Sequence, residues 1–330
     1  MRNRHSRIRL SLLLATAACT LVAASAARAA APQQKTFPTP EAAVTALVDA
    51  VKANDTKVLL EILGADAKPL LDSGDPVADQ AMRTKFVASY DEAHAIVDAP
   101  DDTKILQTGK DEWPLPIPLV DTAEGWRFDT TAGQDEILNR RIGRNELSAI
   151  QTCLAYVDAQ REYFATNPLG EKLPPYAQTL ASSPGKKDGL YWDAADGEPE
   201  SPLGAEFASA RAEGYRPGEG KPIPFHGYYF RVLKAQGPHA PGGKYDYVVH
   251  GKMIGGFALV AYPAEYGASG VMTFVVNHDG VVYEKDLGQG TAKLAQQMKA
   301  FDPDESWRKV EPEAAPAAPG APAAAPAAAS

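Results

Sequence analysis

The sequence predicts an α+β protein: N-terminal helices with a β-hairpin sheet, then a long helix packed on a C-terminal antiparallel sheet. Three observations lead there. Three helix-start caps, Thr39, Asp55 and Asp75, two of them followed by proline, fall within the first hundred residues. Gln134 to Phe164 carries the longest helical pattern in the chain. From Gly227 onward, runs of aromatic and β-branched residues alternate with glycine-containing turns.

Thr39-Pro40-Glu41 opens the first helix with a hydroxyl cap, a proline in the first turn and an acid near the positive end of the dipole. Val44, Leu47, Val48 and Val51 form its apolar face. Asp55 caps a short second helix carrying Val58, Leu59, Ile62 and Leu63, which Gly64 ends. Asp75-Pro76 repeats the signal for a third helix, in which Met82, Phe86, Tyr90, Ala93 and Val97 keep a helical period. Next, Trp113-Pro-Leu-Pro-Ile-Pro-Leu119 places three prolines on one lateral edge, where no N–H can donate. That predicts an edge strand whose other side pairs with Trp126–Asp129, with Trp113 and Trp126 as neighbours.

Within Gln134–Phe164 the pattern predicts a short helix, a break at Gly143, and a long helix. Ile150, Cys153, Leu154 and Val157 give its apolar stripe; Glu146, Gln151, Asp158 and Glu162 give its wet side. Asn167 to Phe225 reads as ordered loop, because Tyr176, Tyr191 and Trp192 are too apolar for a disordered linker. Ser201-Pro202 starts a short helix there, closed by Gly214. Tyr228–Leu233, Tyr245–Val249, Phe257–Tyr262, Val271–Val276 and Val281–Tyr283 read as strands, with Asn277-His-Asp-Gly280 as a hairpin turn. A last helix spans Thr291 to Phe301.

A chain of 330 residues is long for one core. The expected division is 1–29 signal peptide, 37–133 helix-plus-hairpin domain, 134–310 long helix and antiparallel sheet, and 311–330 disordered Pro/Ala-rich tail. Export follows from Arg2, Arg4, Arg7 and Arg9, the apolar run Leu10 to Ala26, and the small-x-small site Ala27-Arg28-Ala29. The expected location is periplasmic or secreted. Cys19 in Thr16-Ala17-Ala18-Cys19 offers a lipoprotein alternative, weakened by Thr16 and by the apolar sequence that continues past the cysteine. Beyond residue 29, 28 Lys and Arg face 42 Asp and Glu, a charge near −14 that disfavours nucleic acid and anionic membranes. No transmembrane segment is expected in the mature chain. Its one cysteine, Cys153, falls on the apolar stripe and reads as a buried, inert thiol.

Two families and one superfamily resemble parts of this pattern. From Phe37 to about Val310, the segments Phe37-Pro-Thr-Pro-Glu, Ser73-Gly-Asp-Pro-Val-Ala-Asp, Trp113-Pro-Leu-Pro-Ile-Pro-Leu, Ile137-Leu-Asn-Arg-Arg-Ile-Gly-Arg-Asn-Glu, Asp188-Gly-Leu-Tyr-Trp, Gly255-Gly-Phe-Ala-Leu-Val-Ala-Tyr-Pro and Asn277-His-Asp-Gly-Val-Val-Tyr resemble an exported bacterial family. That family is catalogued as domain of unknown function number twenty-nine fifty, and it implies no activity. Asn145-Glu-Leu-Ser-Ala-Ile to Ala159-Gln-Arg-Glu-Tyr, with Gly227-Tyr-Tyr-Phe, Tyr262-Pro and Asp279-Gly-Val-Val, is similar in order to the soluble part of type IV pilins and pseudopilins. The similarity implies a long helix across a sheet but no filament, since no prepilin leader or apolar half-helix accompanies it. The element order of Phe37 to Thr131 resembles the nuclear-transport-factor-2-like superfamily.

Catalytic patterns fail one after another. Ser183-Pro-Gly-Lys186 has the Ser-x-x-Lys spacing, yet Pro184-Gly185 cannot hold both side chains on one helical turn. Gly267-Ala-Ser-Gly270 is one residue short of a nucleophile elbow, and Gly185-Lys186 lacks the upstream glycine of a P-loop. His94, His226, His239, His250 and His278 are scattered without zinc-ligand spacing, and His278 reads as an exposed turn. Asp98-Ala-Pro-Asp-Asp102 lacks the spacing of a calcium loop. Asp158 and Glu162, one turn apart beside Arg161, read as a solvated face. No catalytic, cofactor-binding or metal-ligating residue is assigned, and no cofactor. The expectation is a non-catalytic envelope protein that binds a small ligand or an envelope protein. The alternative is an envelope hydrolase with a carboxylate site between the domains, drawn from the 167–225 segment.

Overall fold

The computed structural model describes residues 34–195, 197–216 and 222–311. The expected signal peptide with Cys19 lies outside the described residues, as does the tail beyond residue 311. The chain is α+β throughout.

The N-terminal helices form where their caps predict. Helix α1 (Pro40–Lys52) starts with Thr39 accepting from the Ala42 N–H at 3.2 Å, and α2 (Thr56–Leu63) with Asp55 accepting from Val58 at 3.0 Å. After α3 (Lys68–Leu71) comes α4 (Pro76–Glu92), capped by Asp75. The α4 helix stops at Glu92, short of the predicted Val97, and gives way to a hairpin of β1 (His94–Ala99) and β2 (Thr103–Thr108). The acidic Asp98–Asp102 run ends β1 and makes the hairpin's turn at Pro100–Asp102, with Asp101 and Asp102 both at positive φ. Asp tolerates that region better than most residues.

Three more strands, β3 (Trp113–Pro114), β4 (Leu119–Thr122) and β5 (Gly125–Phe128), complete an antiparallel sheet ordered β1-β2-β4-β5, with β3 also on β2. The β4–β5 hairpin pairs Leu119 with Phe128, but Leu119 is the one residue of the expected Trp113–Leu119 strand that takes part in it. The proline segment does not run as one edge strand. Its first half pairs with β2, Leu115 donating to the Leu106 carbonyl at 2.8 Å. Its proline side meets the start of the long helix: Asp129 N–H donates to the Pro118 carbonyl at 2.7 Å. A Cβ on Gly133 would lie 2.2 Å from the Pro116 oxygen. Pro116 and Pro118 therefore line a covered edge, while Pro114 is exposed in β3. Trp113 is exposed and Trp126 half-buried, so they are not packed as a pair. Val44, Leu47, Val48, Leu59 and Ile62 pack with Leu106, Leu119 and Phe128 as the first core.

Helix α5 (Thr130–Thr166) is 37 residues long and unbroken at Gly143. One glycine costs a helix only about 1 kcal/mol, and tertiary bonds hold both flanks. Arg141 donates to the Pro69 and Leu70 carbonyls, and Asn145 to Ser269 O at 2.8 Å. Glu146, expected on the wet side, accepts from the Val271 and Met272 amides at 3.0 and 2.9 Å. Ile137 and Leu138 pack against the first core, while Ala149, Cys153, Tyr156, Val157 and Tyr163 enter a second. The buried stripe is thus rotated about one residue from the predicted one, and Leu147 and Leu154 stand 50% and 42% exposed. The reason is Gln160. It is fully buried yet satisfied by the Ala177 backbone and the Tyr156 hydroxyl, so a polar residue occupies a core position.

The 167–225 segment is ordered where described and holds α6 (Gly204–Glu213). Strands β6 (Tyr228–Leu233), β7 (Ala235–Gln236), β8 (Tyr245–Asp246), β9 (Val248–Val249), β10 (Lys252–Met253), β11 (Ala258–Pro263), β12 (Met272–Asn277) and β13 (Val282–Asp286) follow, then α7 (Thr291–Gln297) and β14 (Arg308–Lys309). The main sheet is antiparallel, ordered β14-β13-β12-β11-β6. Directly opposite residues share a face, so Phe230, Ala261 and Phe274 lie on one side. Arg231, Val260, Val275 and Tyr283 lie on the other, where Arg231 donates to carbonyls of α7 and its C-cap. All six residues of β11 are buried, as two covered faces require.

Candidate functional site

The second half of α5, the Leu180–Asp193 loop, α6 and the Ile223–Phe230 segment enclose a cleft of about 1,050 Å³. Ser148, Thr152 and Ala155 recur at helical spacing on α5 and line one wall, with the sheet residues Phe230 and Leu259 beside them. Tyr191 stacks on Phe207 at 4.2 Å, joining loop to helix, and Arg211 lies 5.1 Å over the Tyr191 ring.

One hydrogen-bond chain crosses this cleft. The Ser148 hydroxyl is 2.6 Å from His226 Nδ1, and His226 Nε2 is 2.6 Å from the Glu213 carboxylate. A carboxylate only accepts, so Nε2 carries the ring proton and Nδ1 turns its lone pair to Ser148. Each member comes from a different element. Ser148 sits inside α5, Glu213 is the last residue of α6, and His226 precedes β6. Gly214, at φ +106°, closes α6 just after Glu213.

His226 is held from several sides. Its φ of +48° places it in the left-handed region, which is uncommon for a residue with a side chain. Its ring stacks on Phe225 at 4.0 Å. Its N–H donates to the Tyr215 hydroxyl at 3.2 Å, and that hydroxyl donates to Asp75 Oδ2 at 2.9 Å. The Gly227 N–H reaches the same carboxylate oxygen at 2.8 Å. Asp75 is fully buried and also caps α4, so one carboxylate fixes both the start of that helix and the backbone at His226. Burial, reinforced by the Asp75 charge, pushes the Tyr215 phenol far above its ordinary value, which keeps it a donor.

Around the rim, charges are paired. Arg211 bonds Asp193 at 3.1 Å and Lys187 bonds Glu198 at 3.1 Å. The Tyr191 hydroxyl, then Arg211, hold the Asp193 carboxyl below its usual range. Trp192 also lines the cleft, and its buried indole N–H has no acceptor among the described residues.

The other sequence candidates lie outside any such assembly. Ser183 bonds Asp188 through both its amide and its hydroxyl, at 2.7 and 2.9 Å. Ser269 is fully buried and its hydroxyl closes a turn with the Glu265 backbone. His94 stacks on Tyr90, and His239 pairs with Asp302. His278, expected to be exposed, is half-buried edge-on to Tyr247 and Phe257. Asp158 pairs with Arg161 at 3.3 Å on an exposed face. Among the described residues no group of three or more His, Cys, Asp or Glu could hold a metal. Sequence reasoning passed over Ser148, Glu213, Tyr215 and Asp75. They lie up to 151 positions from His226 in a pattern with no local signature.

No curated protein and no solved structure gives a significant match to the chain. A family model described as "Protein of unknown function (DUF2950)" matches residues 34–310, spanning both cores and the whole cleft. The chain that builds this cleft therefore belongs to the DUF2950 family.

Proposed function

We propose that this is an exported envelope protein, periplasmic or secreted after its signal peptide is removed, that binds a ligand in the cleft between α5 and α6. The cleft itself carries the reading. Its 1,050 Å³ is about the size of the largest ordinary small-molecule sites, and aromatic and aliphatic residues such as Leu180, Phe207 and Phe230 share its lining with polar ones such as Ser148, Thr152 and Arg211. Among the described residues no helix is long and apolar enough to cross a membrane. A long helix lying on an antiparallel sheet supports a pilin-like reading of the C-terminal part, and helices on a hairpin sheet support a nuclear-transport-factor-2-like reading of the N-terminal part. A site of paired carboxylates finds no support, because Asp193, Glu198 and Glu213 are each engaged by a cationic or imidazole partner.

The test uses 1-anilinonaphthalene-8-sulfonate, whose apolar rings suit Phe207 and Phe230 and whose sulfonate suits the Arg211 rim. Saturable one-site binding is expected, weakened at least tenfold by Phe230→Asp. Binding that is unchanged in Phe230→Asp overturns the reading.

A further inference from the structure

We propose that the cleft is also an acyl-transfer site in which Ser148 is the nucleophile, His226 the general base and Glu213 its orienting carboxylate, acting on carboxylic esters. The inference rests on the cleft being a ligand site and goes beyond it by assigning chemistry. Three functional roles are filled in the right order: a hydroxyl within hydrogen-bond reach of a base, and the base held by a third group on its far nitrogen. The ring is turned over relative to the commoner arrangement, with Nδ1 rather than Nε2 facing the serine. Either nitrogen serves, provided the carboxylate holds the proton on the other one.

A purely structural histidine would also be hydrogen-bonded, so the bonds alone do not decide the matter. What favours chemistry is where the relay sits and what it costs. Ser148, His226 and Glu213 all line the cleft, and His226 is strained in the left-handed region, held there by Asp75 and Tyr215. Strain of this kind gathers at functional sites.

The reaction balances as follows. Ser148 Oγ bonds the ester carbonyl carbon while its proton passes to His226 Nδ1, and the imidazolium is stabilised by Glu213. The carbon–alkoxy bond then breaks, and the alkoxide takes the Nδ1 proton and leaves as an alcohol. Water, deprotonated by Nδ1, adds to the acyl-serine, and the acid departs as Ser148 regains its proton. Leu180, Leu203 and Phe230 offer an apolar seat for the acyl chain, and Gln151, three residues along α5 from Ser148, also lines the cleft. Ser148 lies inside a helix, whose N–H groups are already bonded, so no backbone oxyanion pair forms at the nucleophile and turnover is expected to be slow.

The experiment follows hydrolysis of 4-nitrophenyl butyrate, its displacement of bound 1-anilinonaphthalene-8-sulfonate, and labelling by a fluorophosphonate read by intact and peptide mass. The expected results are turnover, a phosphonyl adduct on Ser148, and a loss of at least 100-fold in kcat/KM for Ser148→Ala. Alanine suits a helix, so that variant should keep its fold, read as an unchanged circular-dichroism spectrum and melting temperature. Glu213→Gln should lower kcat with little change in KM. Dye displacement without hydrolysis, or hydrolysis that survives Ser148→Ala, overturns the chemistry and leaves ligand binding standing. The absence of both displacement and hydrolysis also overturns the ester assignment, and Phe230→Asp then decides the binding reading separately.

Discussion

Two glycines in α5 ask opposite things of the same substitution. A Cβ on Gly143 would meet nothing within 4 Å, and its φ is not positive. Gly143→Ala should therefore stabilise the protein by about 0.5–1 kcal/mol through reduced backbone entropy alone. A Cβ on Gly133 would lie 2.2 Å from the Pro116 oxygen, 2.5 Å from its carbonyl carbon and 2.8 Å from Ile117 N. All three are backbone atoms on a segment tied down by the Asp129–Pro118 bond, so no side chain can swing aside. Restoring ordinary contact needs a shift of about 1 Å between helix and sheet, and overpacking of that kind costs roughly 1–3 kcal/mol. Urea unfolding at fixed pH reads both variants, with thermal midpoints moving about 2 °C per kcal/mol in opposite directions. If Gly143→Ala destabilises, the helix is broken there, as the sequence pattern suggests, and the continuous α5 is wrong. If Gly133→Ala is neutral, the close approach to the proline segment is wrong.

Leu154→Asp should be tolerated within about 1 kcal/mol because Leu154 is 42% exposed, whereas Cys153→Asp should cost on the order of several kcal/mol by burying an unpaired carboxylate. Comparable melting temperatures for the two variants would show that the helix phase is misassigned. The Cys153 thiol is pushed up by burial to about 12. Its folded value lies above its unfolded one, so its contribution is fully present below pH 9 and is lost as pH rises toward 12, by up to roughly 1.4 kcal/mol per unit. Between pH 9 and 10, stability should fall more steeply in the parent than in Cys153→Ala, and the native thiol should resist iodoacetamide. Equal slopes, or fast native labelling, would place the thiol near solvent.

The sequence by itself determined the class, the helix starts and most strands. Those rest on local chemistry: Thr39, Asp55 and Asp75 cap their own helices, and Asn277–Gly280 turns its own hairpin. It also determined the family, because residue order alone carries that. Tertiary structure decided the rest. Whether Gly143 breaks a helix depends on Arg141 and Glu146 finding partners more than seventy positions away in sequence, which outweighs a local cost near 1 kcal/mol. Which face of α5 is buried depends on Ala177 satisfying Gln160, a compensation that hydropathy cannot register. The cleft is the extreme case. Ser148, Glu213 and His226 are ordinary residues on three elements, and they converge because a buried carboxylate at Asp75, on a fourth, fixes the backbone of the histidine.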